Sequence, residues 1–187
     1  MIYPKKISSK KIDIFLNIFS LCIILLSILL LIINLLTTPN IYWSHLCIIS
    51  FIYIYLTVKY SVTVTTNIAG HVMVQTILLI GLMHLIDYNL GYRGWSVNIA
   101  MPIILIVANV TMFILTLVNY KNYGKYAINQ LVIVLLSLSI IYFIYKGYAK
   151  YNPLNIISII ISIINFLFSL ILCHRDFKEE IIKKLNI

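Results

Sequence analysis

Five side chains near the middle of the sequence have the types that could do chemistry together: His45, His84, Asp87, Arg93 and Asn98. His84 and Asp87 lie one helical turn apart at the end of an apolar run, and Arg93 follows in the segment Asp87-Tyr-Asn-Leu-Gly-Tyr-Arg-Gly-Trp-Ser96. Asn98 opens the next apolar run and His45 begins an earlier one, so all five are expected at one level. Three chemistries compete for them. Asp87 paired with Arg93 would fix the loop, with Gly91 and Gly94 making its turns, Ser96 capping the following helix and Trp95 anchoring it. Histidines beside a carboxylate titrate near neutral pH and would suit a proton-linked or ligand-binding vestibule. His45, His84 and Asp87 are also acceptable zinc ligands, although their spacing is scattered and any metal stays unknown. The structural pairing is the favoured reading, and the same residues serve all three.

Other polar side chains fall on helical stripes. Asn17, Ser20, Ser27 and Asn34 share one face of the first apolar run, and Ser158, Ser162, Asn165 and Ser169 share one face of the last. Asn98, Pro102, Leu105 and Asn109 line one side of the fourth. Asn67, His71 and Gln75 form a ridge on the third, with Gly70, Ile77, Gly81 and His84 on another face, where the glycines would permit close packing. Small and amide side chains in apolar helices let backbones approach and bond across helices. Interhelical bonding is therefore favoured over a hydrophilic path. His71 and His84 are about 220° apart around a helix, so they cannot share a metal.

Catalytic signatures are sparse. There is no His-Glu-x-x-His pair, Gly-x-Ser-x-Gly elbow, Gly-Lys phosphate loop or Cys-x-x-Cys. Three of the five acidic residues sit in the tail, so paired-carboxylate chemistry lacks a second partner. Cys173-His174 reads as a buried thiol beside a helix-end histidine, and no cofactor is implied.

These residues must be held by membrane-spanning helices. Hydrophobic residues make up 62% of the 187 and charged residues only 10%. A soluble domain has about 45–50% and about 25%, and disorder requires low hydrophobicity. Cys22, Cys47 and Cys173 lie inside apolar runs, which excludes a disulfide scaffold. A helix needs about 20 apolar residues to cross a bilayer. The pattern predicts six spans, at 12–36, 41–58, 66–86, 97–118, 127–145 and 153–173, with a cytoplasmic tail over 174–187. The fold expected is all-α, a polytopic membrane bundle of six transmembrane helices with short loops, forming one domain. The first span is too long for a signal-peptide core and lacks a cleavage site, so it should remain as an anchor.

Orientation follows from the basic residues. With both termini cytoplasmic, eleven of the fourteen Lys and Arg fall inside, leaving Arg93, Lys146 and Lys150 outside. The net charge of +9 is thereby concentrated on the face where anionic membrane lipids attract it. With no soluble domain to present a groove, nucleic-acid binding is excluded. The many Tyr at span ends, with Trp43 and Trp95, read as interfacial belts. In the tail, Glu179 with Lys183 and Glu180 with Lys184 have helix-supporting spacing. Phe177, Ile181, Ile182 and Leu185 make an apolar side for the membrane surface or a protein partner.

The combination of Asp87, Gly91, Gly94-Trp95-Ser96, Pro102, Asn109 and an Arg-x-x-x-Glu-Glu-x-x-Lys-Lys-Leu-x-Ile tail resembles an uncharacterised bacterial membrane-protein family. The resemblance runs from Tyr3 to the end and implies low-G+C Gram-positive bacteria, whose longer members carry an N-terminal zinc ribbon that this sequence lacks. It implies architecture and no catalytic residue. The expected role is a non-enzymatic interaction or accessory protein of the cell membrane, with a protein partner or as a homo-oligomer. The alternative is a small-solute or ion transporter or channel with a polar site near the outer leaflet.

Overall fold

The computed structural model describes residues 9–64, 68–118 and 124–185, with side chains for 10–64, 68–118, 128–169 and 171. Asn67 and the side chains of Cys173, His174 and the tail therefore lie outside the described residues. Six α-helices account for the fold, and no strand occurs among the described residues. They are α1 (Ser9–Thr37), α2 (Trp43–Thr63), α3 (Ile68–Asn89), α4 (Met101–Val118), α5 (Gly124–Tyr145) and α6 (Pro153–Leu185). One π-helical turn, Ser96–Ala100, leads directly into α4. Five helices, with the π turn counted into α4, are long and apolar enough to cross a membrane, whereas the described apolar part of α6, Pro153–Ser169, is shorter.

The chain divides into two compact units, Met1–Thr65 and Thr66–Ile187. In the first, α1 and α2 form a hairpin whose turn is built around one side chain. Asn34 donates through Nδ2 to the carbonyls of Thr38 (2.8 Å) and Ile41 (2.7 Å). Its Oδ1 accepts the Ser44 N–H at 3.0 Å, satisfying a free donor in the first turn of α2. Trp43 Nε1 donates to Thr38 Oγ1 at 2.9 Å, and Phe19 stacks on Tyr55 along the hairpin. Ser20 and Ser27, expected to bond across helices, donate instead to carbonyls of their own helix, Asn17 and Ile23.

In the second unit, α3 to α6 and the π turn pack around Val97, Met101, Leu105, Ala108, Met112, Ile133 and Ile140. The stripe along α4 faces inward, with Pro102, Leu105 and Asn109 all buried. So does the stripe of Ser158, Ser162, Asn165 and Ser169 on α6. Gly81 differs from expectation, because no neighbouring atom lies within 4 Å of where its Cβ would be, and it brings no helix close.

Helix ends in this unit are specified locally. After α3, Tyr92 N–H donates to Asp87 O (2.9 Å) and Gly91 N–H to Tyr88 O (3.2 Å), with Gly91 at φ +87°. After α5, Tyr148 N–H donates to Phe143 O (2.9 Å) and Gly147 N–H to Ile144 O (3.0 Å). Both are Schellman closures with glycine in the left-handed position. At the start of α6, Asn152 Oδ1 accepts the Asn155 N–H at 2.9 Å while Pro153 takes the first helical position, where its missing donor costs nothing.

Candidate functional site

Two polar constellations stand in the second unit. The first gathers the end of α3, the π turn and the α5–α6 connection. Asp87 is fully buried and spends both carboxylate oxygens on its own loop: Oδ1 accepts the Arg93 N–H (3.0 Å), and Oδ2 accepts the Ser96 N–H (3.2 Å) and hydroxyl (2.8 Å). The partner of Asp87 at Arg93 is thus the main-chain amide; the guanidinium forms no ion pair with it. Ser96 does not cap α4 by its side chain either; it donates to Asp87, which acts as the acceptor for the turn from a different helix.

Asn98 continues the same construction. Its Nδ2 donates to Gly94 O (2.6 Å) and its Oδ1 accepts the Lys150 N–H (2.6 Å). Pro102 has no N–H to offer the carbonyl four residues earlier, which is that of Asn98. That oxygen accepts instead from Asn152 Nδ2 at 2.9 Å, and the helix widens into its π turn just upstream. Asn155, also buried, ties Nδ2 to Lys150 O at 2.9 Å.

The five candidate residues are therefore dispersed in what they touch. Asp87, the backbone of Arg93, and Asn98 share the loop network, while the Arg93 side chain is exposed. His84 lies one turn earlier on α3. Its Nδ1 pairs with Ile80 O (2.9 Å), its ring sits 6.2 Å from that of Phe143, and its Nε2 is buried with no hydrogen-bond partner. His45 belongs to the first unit, exposed and stacked on Tyr42 at 5.3 Å. Among the described residues no three His, Cys, Asp or Glu side chains come together to hold a metal ion.

The second constellation is a layer of neutral polar groups across α4, α5 and α6. Asn109 is its hub. Nδ2 donates to Leu105 O (2.8 Å) and Ser162 Oγ (2.6 Å), and Oδ1 accepts from Gln130 Nε2 (3.2 Å) and Asn165 Nδ2 (3.5 Å). Asn165 Nδ2 also reaches Asn109 O at 2.8 Å, and the Ser137 and Ser162 hydroxyls pair at 2.5 Å. Gln130 Oε1 and Asn165 Oδ1 are buried without a partner. Gln130 and Ser137 escaped the sequence reading, although they lie seven residues apart on one face of α5, the signal that marked the α4 and α6 stripes.

Two lateral grooves border this core. One, about 370 Å³, runs between α4 and α6 over Asn109 and Asn165 and is walled by Val110, Phe113, Ile161 and Phe168. The other, about 380 Å³, lies between α3 and α4 and includes His71, Gln75 and Val107.

No curated protein and no solved structure matches this chain. Its extent from Tyr3 onward nevertheless coincides with one family model, and by that match, over residues 3–187, the chain belongs to the family of unknown function DUF6320.

Proposed function

We propose that the chain is a multi-pass protein of the cell membrane, both termini cytoplasmic, that carries out no reaction of its own and acts as an interaction or accessory subunit. The observation that carries this reading is the state of Asp87. The acid best placed for chemistry is buried, and both of its oxygens are taken up by its own loop. A general base must reach a substrate proton directly or through one water, and this carboxylate faces its own backbone. Apolar helices long enough to span, and a basic side formed by eleven of fourteen Lys and Arg, support the membrane placement.

The test is photocrosslinking from exposed α4 positions Val107 and Ile114 in native membranes, with native mass spectrometry of the purified chain. A stoichiometric protein adduct, or a defined homo-oligomer, is expected. A bare monomer that raises solute or ion flux when reconstituted into vesicles would overturn the reading. Cysteines placed at Lys59 and Lys146 should label from opposite sides of the membrane.

A second reading, a small-solute or ion transporter, is favoured by one observation. Asn109 and Asn165 fall within roughly 3 Å of the middle of their expected spans at 1.5 Å per residue, the depth at which transporters place their sites. That site would be the layer around Asn109 rather than the outer cluster.

A further inference from the structure

The layer around Asn109 has an imbalance that its own hydrogen bonds do not resolve. Its amide protons find acceptors: Asn109 Nδ2 uses Leu105 O and Ser162 Oγ, and Asn165 Nδ2 uses the two oxygens of Asn109. Left over are two carbonyl oxygens, Gln130 Oε1 and Asn165 Oδ1, on side chains that are 0% and 4% exposed. Each is the far end of an amide whose nitrogen contacts the same atom, Asn109 Oδ1. Turning either amide about its last side-chain bond would bring its oxygen to the place its nitrogen holds, beside Asn109 Oδ1. Ser137 and Ser162 add two hydroxyl oxygens, and Ser162 is bonded directly to the same hub.

Five side-chain oxygens on three helices thus belong to one hydrogen-bonded layer around Asn109, two of them facing Asn109 Oδ1 only after their amides turn, and none bears a formal charge. Oxygen ligands of this kind suit hard cations, and transition metals have no His or Cys here to bind. Ionic charge decides the class. A divalent ion amid neutral ligands would leave two uncompensated charges in a low-dielectric interior, and the desolvation cost rises steeply with charge. Buried carbonyls without donors are themselves costly, so a guest that used them would stabilise the fold.

We propose that the layer formed by Asn109, Gln130, Ser137, Ser162 and Asn165 is a binding site for a small monovalent cation, held by their side-chain oxygens. The inference rests on the packing within Thr66–Ile187 and not on the accessory reading, so either can fail alone.

Sodium is the probe. The purified full chain is unfolded thermally in sodium chloride or choline chloride at equal ionic strength. Above the dissociation constant, each tenfold rise in sodium should raise Tm by roughly 3–6 °C, the shift expected when a ligand binds only the folded state. Gln130→Met removes one oxygen ligand and loses only one long hydrogen bond of 3.2 Å. In choline this variant should equal or exceed the parent, since an unpaired buried carbonyl has gone, and in sodium it should gain little. Identical parent Tm in both salts would overturn the proposal and leave an internal water as the partner of the two oxygens. A sodium shift that persists undiminished in Gln130→Met would overturn it too, by placing the ion elsewhere. The parent's salt dependence needs no variant, so misfolding of Gln130→Met leaves the first outcome decisive.

Discussion

Replacing Asp87 separates a structural carboxylate from a functional one. In Asp87→Ala three donors lose their acceptor. Arg93 is exposed, and water can replace the carboxylate at its N–H. Ser96 is fully buried, and water cannot reach its N–H or its hydroxyl. A buried donor left unpaired costs about 1–3 kcal/mol, so the substitution should destabilise the fold by about 2–6 kcal/mol. For a chain of this size that is a fall in Tm of at least about 4 °C. Ser96→Ala removes only one of the two buried bonds and should cost about 1 kcal/mol. The double variant should cost less than the two singles combined, because the hydroxyl that Asp87→Ala strands is already gone. Thermal unfolding of the four proteins in one detergent measures the cycle, and limited proteolysis of the 87–96 loop reports where the loss occurs. If Asp87→Ala unfolds with the parent and the loop stays protected, the carboxylate is not holding this turn and the argument against a functional acid collapses.

Three further outcomes test other parts of the structure. Asn34→Ala removes the acceptor of the Ser44 N–H and two donations that close the α1–α2 turn, and should cost about 2–4 kcal/mol; protease cutting within 38–42 would report it. Gly94→Ala and Gly147→Ala should each cost about 1 kcal/mol in thermal unfolding, since both sit at positive φ, +75° and +77°, and a Cβ at Gly94 would meet Asn98 Nδ2 only at an ordinary contact of 3.4 Å. Asn152→Ala loses the α6 cap and the bond to Asn98 O, about 2 kcal/mol by Tm. Asn152→Asp, which keeps the cap but not the Asn98 bond, should recover roughly half of it.

Much of this architecture was legible because apolar length and period are read one segment at a time. The α4 and α6 stripes turned inward as expected, since an amide in an apolar helix has nowhere cheaper to go than another helix. The hydroxyls misled in part. Ser20, Ser27, Ser158 and Ser169 satisfy themselves on carbonyls of their own helix, which spacing cannot distinguish from a bond to a neighbour. Asp87 does pair with Arg93, but through the main chain: the carboxylate is satisfied by the N–H groups of Arg93 and Ser96, which every residue but proline carries, and by the Ser96 hydroxyl. A backbone partner leaves no trace in residue type.

Pro102 shows how far one residue can reach when its consequence is non-local. Its missing N–H withdraws a donor from Asn98 O, and a π turn and a bond to Asn152, fifty-four residues from Asn98, take up the difference. Asn98 then joins Gly94, Lys150 and Asn152 in one network, and Asp87 holds the other side of the same loop. Asp87, Asn98 and Asn152 at this end each bond to a turn, which is what closing four helix ends requires, although His84 Nε2 and Asn155 Oδ1 are buried there without a partner. The neutral layer around Asn109 is different. It closes no turn, and hydroxyls bonded within their own helices would have packed the interior more simply. A convergence of three amides, two with carbonyls left unpaired, is a costly way to join helices unless the oxygens have a second use. The loop of Asp87 thus closes helix ends through backbone groups, whereas the layer around Asn109 joins three helices through their side chains.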